Sequence, residues 1–141
     1  MSHTTSVKTV QYTDANAIRE AVKALQAKGV KITLLENAKP RMYYDNQEGV
    51  CDFVIRCDNG KYDVGLKLQA DGSYLPVFDE WGGYIADVLG TSRNSAEEAI
   101  ALFSRQYGEE AIYLEAARQG LAVESVFTDD NGNVQMVLAY N

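Results

Sequence analysis

Between residues 51 and 78 apolar and polar side chains alternate with the period of half-buried strands. Over residues 15–28 the period changes: Ile18, Ala21, Val22 and Leu25 recur at helical spacing, Asp14 offers an N-cap, and Gly29 sits where a helix stops. A second helical stripe, Ala99, Phe103, Tyr107, Ala111 and Leu114, widened by Ile100 and Ile112, predicts a helix over about 96–119. Ser95 and Glu98 form a capping box at its start, and Gly120 follows its end.

Three dipeptides in strand context punctuate the pattern: Asn59-Gly60, Asp71-Gly72 and Asn131-Gly132. Each readily supplies two positive φ angles, so each predicts a two-residue hairpin with a type I′ turn. Placing Asn59-Gly60 at the turn sets Asp58 opposite Lys61, Arg56 opposite Asp63 and Asp52 opposite Lys67, with Ile55–Val64, Phe53–Leu66 and Cys51–Leu68 on the other side. A slip of one residue would destroy both the charge and the apolar pairing. The same logic at Asp71-Gly72 pairs Leu75 with Leu68, Val77 with Leu66 and Phe78 with Gly65, and Pro76 marks that strand as an edge or as one with its donor side free. At the third turn Phe127 faces Met136 and Val123 faces Tyr140, in a hairpin of 121–128 with 133–140.

The remaining segments complete the order. A first strand is expected over residues 6–12 and another from Val30 to Leu35, making a β-α-β opening. Residues 36–50 form a loop that admits a short strand around Arg41 to Tyr44. Residues 79–94 form a second loop with a helical turn around Ile85 to Leu89. The expected fold is a single α+β domain over 1–141, a two-layer arrangement of a mostly antiparallel sheet (β-α-β, meander, long helix, closing hairpin) with two helices on one face.

Composition adds limits. With 141 residues, 46% hydrophobic and 23% charged, the chain can bury a core. A net charge of -7 argues against nucleic acid as a partner, since phosphate binding needs clustered Lys and Arg. It suits a soluble protein or one that docks on a basic surface. No run of about 18 apolar residues suggests a membrane span, and the N-terminus lacks the basic and apolar regions of a signal peptide. The expected location is the cytoplasm. Cys51 and Cys57 on one strand lie about 20 Å apart, too far for a mutual disulfide. They read as small buried hydrophobes. The single His, His3, sits in a terminus expected to be mobile, and no metal site or cofactor is expected.

Several stretches resemble a known family. They are Met1-Ser2-His3, Tyr62-Asp63-Val64-Gly65-Leu66, Asp71-Gly72-Ser73-Tyr74, Asp79-Glu80-Trp81-Gly82, Gln106-Tyr107, and the Ala-Arg-Gln-Gly-Leu segment that enters the last hairpin. The chain is similar along most of its length to the Ycf-thirty-five-like proteins of unknown function, found in cyanobacteria, algal plastid genomes, other bacteria and bacteriophages. It departs from them in longer stretches around Arg41 to Gly49 and Gly90 to Asn94. That family carries no established activity. The resemblance implies a small intracellular protein without assigned catalytic residues, with a bacteriophage source among the options.

Candidate chemistry is sparse. One His leaves no ordinary Ser-His or Cys-His arrangement. Asp79 and Glu80, adjacent on an extended chain, would point to opposite faces and make a poor acid–base pair, and Gly82-Gly83 lacks the spacing and lysine of a phosphate loop. Glu97, Glu98, Glu109, Glu110 and Glu115 read as the solvated side of the long helix. The binding candidates are Asp79, Glu80, Trp81 and Tyr84 in a glycine-containing aromatic loop, which suit a protein partner, and the rings Tyr43, Tyr44, Tyr74 and Tyr84, with Arg41 and Arg93 near two of them in sequence. Rings with arginines suit a nucleotide-like ligand. The expected function is a non-enzymatic binding protein docking on a host or phage-related protein, with homodimerisation through an edge strand a further option. The alternative is a protein that binds or sequesters a small nucleotide-like ligand.

Overall fold

The computed structural model describes residues 2–7, 11–44, 49–131 and 134–140. Its elements run β1 (Ser2–Val7), α1 (Ala15–Ala27), β2 (Ile32–Ala38), β3 (Cys51–Cys57), β4 (Asp63–Leu68), β5 (Tyr74–Val77), a 3-10 turn (Trp81–Gly83), α2 (Tyr84–Leu89), α3 (Ala96–Ala99), α4 (Ala101–Arg118), β6 (Leu121–Thr128) and β7 (Val134–Tyr140). The fold is α+β, and every strand pairing is antiparallel. The strands fall into two sheets, β2-β3-β4-β5 and β1-β7-β6.

Helix α1 follows its pattern closely. Asp14 accepts the Asn16 and Ala17 N–H groups at 2.9 and 3.3 Å, and Ala17, Ile18, Ala21, Val22 and Leu25 are buried. At its end the Gly29 N–H reaches the Gln26 carbonyl and the Val30 N–H reaches that of Leu25, the Schellman pattern that closes the last turn. Burial of each larger side chain on this stripe is worth about 1.5–3 kcal/mol.

The first strand differs from expectation. It is Ser2–Val7, it contains His3, and it pairs with β7, with His3 opposite Leu138. The opening β-α-β therefore divides between two sheets. Of the expected strand over 6–12, residues 8–10 lie outside the described residues; Tyr12 makes an isolated bridge to Tyr74 and gives its carbonyl to the Tyr74 N–H at 2.6 Å. Arg41 to Tyr44 form no strand. They follow Pro40, which packs over Gly65 of β4.

The β3–β4 register is the expected one, with Phe53–Leu66, Val54–Gly65, Ile55–Val64 and Arg56–Asp63 as partners. The turn type is not, because neither Asn59 nor Gly60 has positive φ. Apolar alternation sets this register, and a loop from Asp58 to Tyr62 accommodates it. At the next hairpin the loop has three residues, Ala70, Asp71 and Gly72. The Gln69 N–H meets the Ser73 carbonyl at 2.7 Å, Gly72 sits at φ 87, and the Asp71 carboxylate accepts the Ser73 N–H and hydroxyl. A three-residue loop moves the register by one. Gly65 therefore faces Val77 instead of Phe78, and Lys67 and Leu68 face Leu75 and Tyr74. Strand β5, with Pro76, is an edge as expected.

The closing hairpin is also offset. Phe127 faces Gln135, Val126 faces Met136 and Val123 faces Leu138, with an irregularity between Val123 and Ser125. This places fully buried Met136 under α4 and leaves Phe127 half exposed. Gly132 of the third turn signal lies outside the described residues.

The long helix is interrupted. Ser95 accepts the Glu98 N–H at 3.1 Å, as a cap should. The Glu98 carbonyl is taken by the Thr91 N–H at 2.9 Å, and Ile100, at φ -123, separates α3 from α4. Helix α4 serves both cores with different faces. Phe103 and Tyr107 pack with α1, β3, β4 and α2, whereas Ile112 and Ala116 pack on Met136, Leu138 and β6. Tyr107 and Ile112 are five positions apart, about 140° around the helix. That rotation is why one helix ties two sheets together.

Candidate docking surface

After β2 the segment Lys39 to Tyr44 passes over Gly65 in the four-stranded sheet. Its path requires a hole in the sheet at Gly65. A Cβ there would stand 2.6 Å from Cys51 Sγ, 3.0 Å from Val77 Cγ2 and 3.1 Å from Pro40 Cγ. Pro40 thus packs over bare backbone. The next residue, Arg41, turns inward: its Nε and Nη2 bond Asp63 at 2.9 to 3.2 Å, its Nη2 also donates to the Cys57 carbonyl at 2.8 Å, and its N–H donates to Asp63 Oδ2 at 2.8 Å. The Asp63 carboxylate raises the guanidinium above its ordinary value, against the opposing effect of burial. Met42 is buried, so Tyr43 and Tyr44 are carried out to solvent.

A second segment meets them. After β5 the chain makes a turn in which Asp79 Oδ1 accepts the Trp81 N–H at 2.9 Å and Oδ2 accepts the Tyr43 N–H at 3.1 Å. One carboxylate so fastens both aromatic segments. The rings form a chain: Tyr44–Tyr43 centroids at 4.9 Å, Tyr43–Trp81 at 5.7 Å, Trp81–Tyr84 at 6.2 Å and Tyr84–Tyr62 at 5.4 Å. These spacings and tilts are those of favourable aromatic contacts. Tyr62 and Tyr84 lie inward, and Lys61 Nζ sits over the Tyr84 ring at 5.4 Å. Burial, then the Asp79 carboxylate, pushes the Tyr62 phenol up. The outer rings remain open, with Tyr43 57%, Tyr44 69% and Trp81 59% exposed.

The sequence candidates therefore divide. Tyr43, Tyr44, Trp81 and Tyr84 come together, and Glu80 is exposed beside Trp81. Arg41 acts within the fold, clasping Asp63. Arg93 is exposed but forms a forked pair with Asp87 at 2.7 and 2.8 Å, its guanidinium lying over Gly83. Tyr74 packs elsewhere, edge-on to Phe53 at 5.4 Å. Tyr62 and Lys61 join the cluster without having been singled out. The only hint of them was an aromatic beside a lysine just past a turn signal. On the helix, Glu97, Glu98 and Glu115 are exposed, whereas burial raises the Glu110 carboxyl despite its hydrogen bond from Gln106.

Among the described residues no group of three or more His, Cys, Asp or Glu side chains is placed to hold a metal ion. Nor is any helix there long and apolar enough to cross a membrane. Cys51 and Cys57 are both buried.

Fold and surface together define an α+β domain, two antiparallel sheets bridged by one helix, with an aromatic cluster displayed on crossing loops. The chain belongs to the family described as protein of unknown function (DUF1257), whose family model matches residues 17–137. No curated protein matches the chain. No solved structure matches it either.

Proposed function

We propose that the chain is a non-enzymatic binding protein that docks on a protein partner through Tyr43, Tyr44 and Trp81. The observation that carries this reading is three neighbouring aromatic rings, each more than half exposed, on backbone held by Asp79 and Arg41. Contiguous apolar surface is seldom left bare without a use. Tyr and Trp are the residues that most often anchor interfaces. Rings held in place before binding lose little freedom on binding. The partner is a host or phage-related protein in the cytoplasm, in keeping with the narrower likeness to the Ycf-thirty-five-like group.

A nucleotide-like ligand is the second reading, because the exposed faces of Tyr43 and Trp81 offer stacking surfaces to a base. It is the weaker one. Arg41 and Arg93, the cations expected to hold the phosphate, are committed to Asp63 and Asp87.

The test is a cross-linked pull-down from lysate of the source cells, using the natural chain and a Tyr43→Ala, Trp81→Ala double variant as baits. The expected result is one protein retained near stoichiometrically by the natural chain and lost by the variant. The reading fails if both baits retain the same proteins, if the natural chain recovers only itself, or if it carries an ultraviolet-absorbing small molecule instead.

A further inference from the structure

We propose that the partner segment received by this surface is basic, and specifically that it lays an arginine across Trp81 and Tyr43 with Glu80 as its counter-ion. The inference rests on the docking reading above and adds the chemistry of the occupant.

Charge around the cluster carries the argument. The cations beside it are each engaged: Arg41 with Asp63, Arg93 with Asp87, and Lys61 over the Tyr84 ring. The carboxylates are not balanced in the same way. Asp79 spends both oxygens on the Trp81 and Tyr43 N–H groups, which keeps its negative charge at the base of the rings. Glu80, exposed and next to Trp81, forms no ion pair among the described residues. Two carboxylates and electron-rich ring faces therefore meet the solvent with Lys61 as the nearby counter-charge.

Lys61 also shows what the cluster accepts, since a cation already packs on one of its rings from within. The outer faces of Tyr43 and Trp81 offer the same contact to an outside cation. Arginine fits better than lysine because its planar guanidinium stacks on a ring while forking to a carboxylate. The chain's net charge of -7 would steer a basic segment inward and repel an acidic one. A second copy of this acidic chain is disfavoured for the same reason.

Trp81 is the single tryptophan, so its emission reports directly on the site. The full chain is titrated with a short peptide alternating arginine and glycine, and with its lysine and glutamate counterparts. The expected result is a saturable change with the arginine peptide, a weaker one with lysine and none with glutamate. Glu80→Gln, an exposed change that leaves the melting temperature in place, should weaken the arginine peptide about two- to fivefold, the range for an exposed ion pair. Added salt should weaken it further.

Equal responses to all three peptides, no response to arginine, or binding by calorimetry that survives Trp81→Ala would each overturn the inference. If the pull-down still loses its partner on Tyr43→Ala, Trp81→Ala while the arginine peptide leaves Trp81 unmoved, docking stands and the basic partner falls. If the pull-down also shows no difference, both fall.

Discussion

Arg41 clasps Asp63 with Nη2 2.9 Å from Oδ1 and Nε 3.0 Å from Oδ2, and this pair sets where the aromatic surface sits. Asp63 is buried on β4, where it also accepts the Cys57 N–H at 3.2 Å. Arg56 is its strand partner, yet the carboxylate belongs to an arginine from a loop. Removing the guanidinium would leave a buried carboxylate with backbone N–H groups alone. Arg41→Met is therefore expected to cost about 1–3 kcal/mol, the range for losing a charged hydrogen bond. Arg41→Lys should recover only part, since a point charge cannot make the fork. Urea unfolding measures the cost. Trp81 fluorescence anisotropy in the folded variant should fall as Tyr43 loses its anchor, and unchanged stability and anisotropy would remove Arg41 from this role.

Gly65 is the gap through which the connection passes. Gly65→Ala should cost about 1–3 kcal/mol through overpacking, because Cys51, Val77 and Pro40 close on the new methyl from three sides. The tightest neighbour is Cys51 Sγ at 2.6 Å, so adding Cys51→Ala should restore part of the loss. A double variant no more stable than Gly65→Ala would place the strain elsewhere. Thermal melting of the four proteins in the cycle decides the matter.

Acid should weaken the link between α1 and α4. The Asp14 carboxylate caps α1 and bonds Arg118 Nη2 at 2.9 Å near the end of α4. Burial is the largest single influence and pulls its pKa up, but the bonds from Arg118 and from the Ala17 and Asn16 N–H groups together hold it below the ordinary 3.8. Glu115 is lowered too, first by the Gln119 amide and then by Arg118. A carboxyl depressed in the folded state adds stability above its unfolded value, and that contribution is lost as pH falls through the folded one. Asp14→Asn keeps an N-cap oxygen and loses the ion pair. Its deficit against the natural chain should be present at pH 7 and shrink below pH 3.8. A constant deficit in melting temperature across that range would contradict the linkage.

The thiols should be inert in the folded protein. Burial, then the Asp63 carboxylate, pushes the Cys57 thiol up to about 12, with Arg41 opposing. Only the thiolate is nucleophilic. Cys51 is buried as deeply. A thiol reagent at pH 8 is expected to label neither in buffer and both in concentrated urea. Rapid labelling of the native chain would show that the connection over Gly65 opens readily.

Much of the fold could be read locally. The caps at Asp14 and Ser95, the buried stripe of α1 and the β3–β4 register are visible because side-chain period, capping and apolar alternation are properties of adjacent residues. The register survived even though Asn59-Gly60 took another turn, since burying Phe53, Ile55, Val64 and Leu66 outweighs the preference of two loop residues. At Asp71-Gly72 the loop geometry won. Leu68 and Leu75 are about half exposed at that edge, so little burial opposed a shift of one position.

The surface was legible only in pieces. Trp81 and the Tyr43-Tyr44 pair stood out as residue types, but nothing local places residue 43 beside residue 81, or turns Arg41 inward. Periodicity and capping act over a few residues, so the chain's own pattern settles which segments become helices and strands and which side of each is buried. Sheet membership, the path over Gly65 and the gathering of Tyr43, Tyr62, Trp81 and Tyr84 depend on contacts tens of residues apart. Those contacts exist only once the sheets have closed on α4, when the space left at a glycine and the charge left at a buried carboxylate select one crossing of the loop.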